Sequence, residues 1–127
     1  AVYVYVRDKS KWTREAKLTP SDGVKADNFG WTVDIDRNTV IVGAWGMANG
    51  MRGAAYVFER KNALSGAGWV EQNRLAMKEG SIGDRFGCAV GITNDTIIIG
   101  ADNVDLKTRN WNEGAAYIFN YVPSKPN

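Results

Sequence analysis

The sequence predicts an all-β protein whose short antiparallel strands belong to one imperfect repeat. The Phe-Gly dipeptides that begin at Phe29 and Phe86 lie 57 residues apart, and the segments 39–44 and 96–101 have the same spacing. Each copy contains four short apolar runs separated by glycine and polar turns, which is typical of strands. No segment keeps a 3.6-residue period, so we expect essentially no helix.

Two further patterns predict how these strands associate. The runs 40–42 and 97–99 are apolar at every position, which indicates strands that are buried on both faces. The short connections at 36–38 and 94–95 favour antiparallel neighbours. Four-stranded antiparallel sheets that are buried on both faces are the blades of a propeller, where each blade stacks on the next.

The repeat also divides the chain. Residues 1–18 are expected to form the last two strands of a blade, 29–77 a complete blade, and 86–121 the first three strands of another, with 122–127 as a tail or linker. These nine strands are too few to close a propeller of four to eight blades. We therefore expect either a piece of a longer propeller, which the missing initiator Met also favours, or a unit that associates with other copies of itself.

Composition excludes several classes of function. The 127 residues carry a net charge of +2, which gives no reason to expect nucleic acid as a partner, and no apolar run is long enough for membrane insertion. Histidine is absent, and Cys88 is the only cysteine, expected as a small buried apolar group. Since no nucleophile stands beside a recognisable base and no glycine loop suits a phosphate, we predict no enzyme activity and no cofactor.

The motifs themselves resemble a known family. Each Phe-Gly is followed by an apolar Gly-Ala strand end, Val42-Gly43-Ala44 in one copy and Ile99-Gly100-Ala101 in the other. This pattern resembles the FG-GAP repeats of integrin α-chain heads and of many surface proteins. The segment 53–58 is similar to the short, calcium-free version of that repeat. The resemblance implies an extracellular or cell-surface propeller that takes part in adhesion and binding.

Calcium-binding members of that family carry an aspartate-rich loop between the Phe-Gly strand and the Gly-Ala strand. Here the links are 34–38 and 91–95, which are too short and too poor in oxygen ligands for Ca²⁺. We interpret both as hairpin turns and predict no metal site.

Recognition is expected where the two copies differ, in the loops 45–52 and 102–113. Large aromatic and Arg side chains on loops of a rigid scaffold are typical of protein interfaces, and Trp with Asp or Asn also suits a sugar ring. One alternative is that Trp45 and Trp111 only cover blade edges. Another is that the carboxylates of Asp102, Asp105 and Glu113 form a weak cation site or are simply solvated. The candidate ligand-binding residues are Trp45, Arg52, Asp102, Asp105, Arg109 and Trp111.

Positions that are alike in both copies are expected to serve the fold. Trp12 and Trp69 should be packing anchors, and so should the phenylalanines and tyrosines of the repeat. Asp27 and Asp84 each precede a Phe-Gly by two residues and should bond the backbone of their own turn.

The leading functional hypothesis is a non-catalytic module that binds a protein or a carbohydrate. A self-assembling structural unit and an accessory propeller of a larger enzyme are the alternatives. The full reading frame would separate the last of these from the others.

Overall fold

A computed structural model describes residues 1–46, 52–61, 68–105 and 112–122. This part of the chain forms short strands and contains no helix, as the sequence predicts. The strands are β1 (Val2–Asp8), β2 (Lys11–Leu18), β3 (Thr32–Asp36), β4 (Thr39–Ala44), β5 (Ala54–Arg60), β6 (Trp69–Leu75), β7 (Ala89–Thr93), β8 (Thr96–Ala101) and β9 (Ala115–Asn120).

The strands form three antiparallel sheets in chain order. Sheet 1 contains β1 and β2, sheet 2 contains β3 to β6, and sheet 3 contains β7 to β9. Every hydrogen-bonded neighbour is antiparallel and adjacent in sequence. The prediction of an all-β, incomplete propeller-like fold is confirmed.

Sheet 2 lies between the other two sheets, and each of its faces belongs to a separate core. One core joins sheets 1 and 2 and includes Leu18, Val42 and Phe58. The other joins sheets 2 and 3 and includes Ile41 and Ile99. Because successive residues of β4 point to opposite faces, this strand contributes to both cores and is buried throughout.

The equivalent apolar strand of sheet 3, β8, is buried on only one face. Ile97 and Ile99 are fully buried against sheet 2, whereas Ile98 is 47% exposed. The prediction that 97–99 is buried on both faces is therefore wrong within this chain. The physical reason is that no further sheet covers the outer face of sheet 3 among the described residues.

The Phe-Gly dipeptides lie in turns, one residue or more before their strands begin. Gly30 and Gly87 have φ of +93° and +90°, a left-handed conformation that glycine adopts without a steric penalty. A side chain at Gly43 would collide with the carbonyl oxygen of Gly87, so sheets 2 and 3 approach closely here.

Each phenylalanine packs edge-on against two rings of its own repeat. Phe29 lies 5.4 Å from Tyr56 and 6.0 Å from Phe58, measured between ring centroids. Phe86 makes the equivalent contacts with the Tyr and Phe of β9, at 5.5 Å and 6.2 Å. The packing role that the repeat predicts for these aromatic residues is confirmed.

A row of hydrogen bonds ties β3 of sheet 2 to β7 of sheet 3. The Thr32 hydroxyl donates to Gly87 O at 3.1 Å. Asp34 Oδ2 accepts from the backbone N–H of Ile92 at 2.8 Å, and Asp36 Oδ2 accepts from Asn94 at 2.6 Å. The sequence of 34–38 predicts only a turn, and nothing in it indicates this contact between sheets.

The two repeat tryptophans differ in their surroundings. Trp69 packs against the core between sheets 1 and 2, and its Nε1–H donates to Glu15 Oε2 at 3.0 Å. Trp12 is 62% exposed and has Arg7 over its ring at 5.9 Å. The prediction that Trp12 is a packing anchor is wrong, because its position faces away from sheet 2 and none of the sheets in the described part of the chain covers it there.

Candidate functional site

The segments at both Phe-Gly turns are hydrogen-bonded to residues between β4 and β5. Gly46 N donates to Asp27 O at 2.9 Å, and Phe86 N donates to Arg52 O at 3.1 Å. Asp27 Oδ2 accepts from Val24 N at 2.6 Å, the bond to its own turn that the sequence predicts. These contacts gather the loops of sheets 2 and 3 at one end of the molecule.

Asp84 repeats this arrangement in the second copy. Its Oδ2 accepts from Ser81 N at 2.5 Å, and its side chain is buried. The predicted turn-bonding role is therefore confirmed in both copies. Since the two turns are held alike, differences in side chains between them produce differences in the surface rather than in the backbone.

The first candidate feature is the Trp–Arg cluster, which we define as Trp31, Trp45, Arg85 and Asp102. The rings of Trp31 and Trp45 lie edge to face with their centroids 5.3 Å apart. The Arg85 guanidinium lies 4.2 Å from the centroid of Trp45, and its NH1 pairs with Asp102 Oδ2 at 2.8 Å. Two side chains that flank strands of sheet 2 and two that flank strands of sheet 3 thus form one continuous contact.

The side chains of the cluster hold one another in place, but two of its hydrogen-bond donors are unpaired among the described residues. Trp45 Nε1 and Arg85 Nε are both buried without a hydrogen-bond partner among the described residues. Trp31 is 59% exposed, so one indole ring is presented to solvent while its neighbour is fixed beneath Arg85. A guanidinium over an indole ring is the strongest kind of cation–π pair that side chains make.

The second feature is a polar cleft of about 300 Å³ between the 22–27 loop, the facing ends of β4 and β5, and residues 74–80. On one wall the Tyr56 hydroxyl donates to Asp22 Oδ1 at 2.8 Å, and Arg74 Nε pairs with Asp22 Oδ2 at 2.9 Å. Burial, with a further contribution from Asp22, raises the pKa of Tyr56 to about 12. On this wall the charges of Arg74 and Asp22 therefore offset each other, and Tyr56 is hydrogen-bonded to the pair.

Arg52 supplies the unpaired charge of the cleft. Its side chain is exposed, lines the cleft and makes no ion pair within the described part of the chain. Asp27 lines the same cleft and uses only one carboxylate oxygen in its turn. The cleft is therefore lined by a guanidinium and a carboxylate oxygen that are unpaired among the described residues, a combination that suits a polar ligand with both donors and acceptors.

Three of the six predicted site residues lie in these two features. Trp45 and Asp102 belong to the Trp–Arg cluster, and Arg52 lies in the cleft. Asp105 is exposed and contacts neither feature. Arg109 and Trp111 lie outside the described residues. Among the residues that are described, no three Asp, Glu or Cys side chains lie together as metal ligands would.

Trp31 and Arg85 are the functional residues that sequence analysis missed. Both occupy positions where the two copies differ, since Trp31 aligns with Cys88 and Arg85 aligns with Asn28. That difference is the signal in the sequence that marks them, although both residues lie outside the loops that follow the Gly-Ala strands. Arg85 precedes sheet 3 and contacts Trp45 at the end of sheet 2, a contact that the spacing of one repeat does not reveal. Trp31 contacts Trp45 within its own repeat.

Cys88 borders the cluster and is half buried. Burial raises the pKa of its thiol, and Arg85 lowers it less. The thiol is therefore protonated at neutral pH, which fits the small apolar role expected of it and not that of a nucleophile.

Stacked antiparallel sheets, a repeated Phe-Gly turn and a loop surface at one end define a β-propeller type of repeat protein. The FG-GAP repeat model matches residues 12–58 and 69–119. The chain belongs to the FG-GAP repeat family, as its motifs predict. Repeats of this family build propellers that are typically non-catalytic and serve in binding, and they occur in extracellular and surface proteins.

No curated protein and no solved structure matches the chain. The described residues contain no helix of the length and apolar character needed to cross a membrane.

Proposed function

We propose that this chain is a non-catalytic binding module of an extracellular or cell-surface protein, and that it recognises a protein or carbohydrate at the end where its loops meet. The observation that carries the proposal is the Trp–Arg cluster. An exposed Trp31 ring is fixed by Trp45, which is itself fixed by Arg85.

A rigid aromatic ring contributes to binding because little side-chain entropy is lost when a ligand covers it. Tryptophan and arginine are also the residues that most often dominate the energy of protein interfaces. The ring of Trp31 equally offers a flat surface for a sugar. The cleft at the end of β4, next to Trp45, adds Arg52 and Asp27, whose donors and acceptor suit hydroxyl or amide groups.

Neither perturbed group at this surface is suited to act as a nucleophile or a base at neutral pH. Tyr56 has a pKa near 12, and the pKa of the Cys88 thiol is raised as well. Both groups keep their protons at neutral pH, whereas a catalytic nucleophile or base needs a pKa close to or below the working pH.

Glycan and surface-protein arrays test the proposal. Trp31→Ala and Arg52→Ala should each remove or greatly weaken any signal while leaving the melting temperature nearly unchanged, because both side chains are exposed. Trp12→Ala is the matched control, since Trp12 is 62% exposed against 59% for Trp31 and lies on sheet 1, away from the loops.

The arrays also separate the two ligand classes. Signals confined to glycans assign a carbohydrate ligand, and signals confined to proteins assign a protein partner. If the wild-type chain binds nothing, or if Trp12→Ala removes binding as fully as Trp31→Ala does, the proposed surface is wrong.

A further inference from the structure

The polar cleft is lined by charged residues whose backbone is fixed. Arg52 O accepts from Phe86 N at 3.1 Å, and a side chain at the neighbouring Gly53 would collide with the carbonyl oxygen of Phe86. On the 22–27 loop, Asp27 O accepts from Gly46 N at 2.9 Å. Because both segments are held in place before a ligand arrives, binding at the cleft orders little backbone, which lowers its cost in entropy.

The fold does not require the charge of Arg52. Arg52 and Glu113 occupy the same position of the repeat, since each directly precedes a Gly-Ala-Ala segment, and the glycines that follow them have φ of +80° and +73°. Ala54 and Ala115 then pair equivalently, each with the last residue of the preceding strand. A position that holds arginine in one copy and glutamate in the other on a similar backbone is available for ligand recognition.

The polar groups of the cleft leave more donors than acceptors for a ligand. The carboxylate of Asp22 is already used by Arg74 and by the Tyr56 hydroxyl. Asp27 gives Oδ2 to its own turn, which leaves Oδ1. The guanidinium of Arg52 makes no ion pair with the residues that the structure describes. Since a guanidinium binds a carboxylate through two parallel hydrogen bonds, this donor excess favours a ligand that carries a carboxylate.

The remaining lining of the cleft narrows the class of ligand. Among the described residues it consists of three alanines, three glycines and Met77. Such small side chains offer little apolar area to bury, so an anchoring side chain of a peptide gains little here. The volume of about 300 Å³ is at the lower end of the range that holds small ligands and is sufficient for one sugar residue.

We propose that the cleft binds an acidic sugar, a hexuronate residue of a glycan, whose carboxylate is held by Arg52 and one of whose hydroxyl groups donates to Asp27 Oδ1. The inference rests on the proposed binding function and names the ligand class of the cleft. The carboxylate supplies the acceptors that Arg52 lacks, and the hydroxyl supplies the donor that Asp27 lacks. A neutral sugar of the same shape leaves the guanidinium without an opposite charge.

Calorimetric titration of the full chain with tetragalacturonate and with its methyl ester tests the inference. The two oligosaccharides have the same rings and hydroxyl groups, but the ester lacks the charge. The acid should bind at least about 10-fold more tightly than the ester, because the charge-assisted hydrogen bonds to the guanidinium are lost. Binding of the acid should also weaken when salt increases from about 0.05 M to about 0.5 M.

A charge reversal assigns the contact to Arg52. Arg52→Glu introduces the side chain that the other copy carries at this position, so it should keep the melting temperature and weaken binding of the acid by about 100-fold. Lys25→Glu is the matched control, since it makes the same change in net charge at the same end of the molecule and Lys25 is exposed without lining the cleft. This control should bind the acid nearly as the wild type does.

The outcomes separate this inference from the proposed function. Equal binding of acid and ester would overturn the hexuronate and leave a carbohydrate-binding function in place. Tighter binding of tetraglutamate than of tetragalacturonate would replace the sugar with an acidic peptide. If Lys25→Glu weakens binding as much as Arg52→Glu does, general charge attraction holds the acid and the cleft does not. If the acid does not bind while an array signal still depends on Trp31, the inference is wrong and the proposed function stands.

Discussion

Ile41 and Ile98 occupy the same position of the repeat, and the structure predicts that they contribute differently to stability. Ile41 lies in β4 and Ile98 lies in β8. Each of these strands is the second of its sheet and has an antiparallel neighbour on either side. Ile41 is fully buried between sheets 2 and 3, whereas Ile98 is 47% exposed on the outer face. Substituting each with alanine changes the same atoms in two different surroundings.

The expected costs follow from those surroundings. Ile41→Ala removes buried atoms and leaves a cavity between two sheets, which costs about 3 to 4 kcal/mol of unfolding free energy. Ile98→Ala loses about half of the transfer free energy and leaves no closed cavity, so it should cost about 1 kcal/mol. The change in intrinsic strand preference is nearly equal at two central strands and cancels in the comparison.

Urea denaturation of the monomeric chain measures this difference, which should be about 2 kcal/mol or more. The denaturant dependence of the unfolding free energy should stay the same in both variants, so that the shift in midpoint reports stability. Equal costs for the two variants would refute the reasoning, because Ile98 would then be covered as well as Ile41 is. A cost for Ile98→Ala that grows with protein concentration would instead point to a covering copy.

Three further outcomes follow from the same geometry. Asp34→Ala leaves the backbone N–H of Ile92 without its acceptor. The unfolding free energy measured by urea denaturation should fall by about 1 to 3 kcal/mol. Tyr56 ionises near pH 10 when unfolded and near pH 12 when folded, so its contribution to stability is complete below pH 10 and is lost as the pH rises towards 12. Tyr56→Phe should flatten that part of the stability profile, and an unchanged slope would show that the hydroxyl is not perturbed. Trp69→Ala should lower stability by about 3 kcal/mol and Trp12→Ala by less than about 1 kcal/mol, whereas equal losses would contradict their different burial.

The sheet order was predictable because strand type and turn position are local properties. The 57-residue spacing placed equivalent strands in sheets 2 and 3, and the fully apolar β4 required cover on both faces. The errors at Trp12 and Ile98 have one cause. A side chain's pattern shows that it suits a neighbouring sheet, but not whether that sheet lies in this chain.

The candidate site was harder to predict because its contacts join different sheets. Asp34 and Trp45 each contact a residue of the following repeat, Ile92 and Arg85, so nothing within their own repeat indicates the contact. Only the substitutions between copies, such as Asn28 against Arg85, mark where the surface changes while the backbone does not. The position within the turn is nearly the same, with φ of 54° at Asn28 and 57° at Arg85.

That shared backbone provides a test of Arg85 by exchange between the copies. Arginine in a left-handed conformation costs about 1 kcal/mol, which asparagine largely avoids, so Arg85→Asn relieves strain. The substitution also removes a partly buried cation–π contact with Trp45, worth about 1 kcal/mol, and an exposed ion pair with Asp102 that contributes less. These terms nearly cancel, so the unfolding free energy should change by no more than about 1 kcal/mol. The emission of Trp45 should change, and ligand binding should weaken about 10-fold because the ring beneath Trp31 is no longer held. If Arg85→Asn instead lowers stability by more than about 3 kcal/mol, Arg85 mainly joins sheets 2 and 3. The Trp–Arg cluster would then serve the fold, and the binding role would have to rest on Arg52 and the cleft.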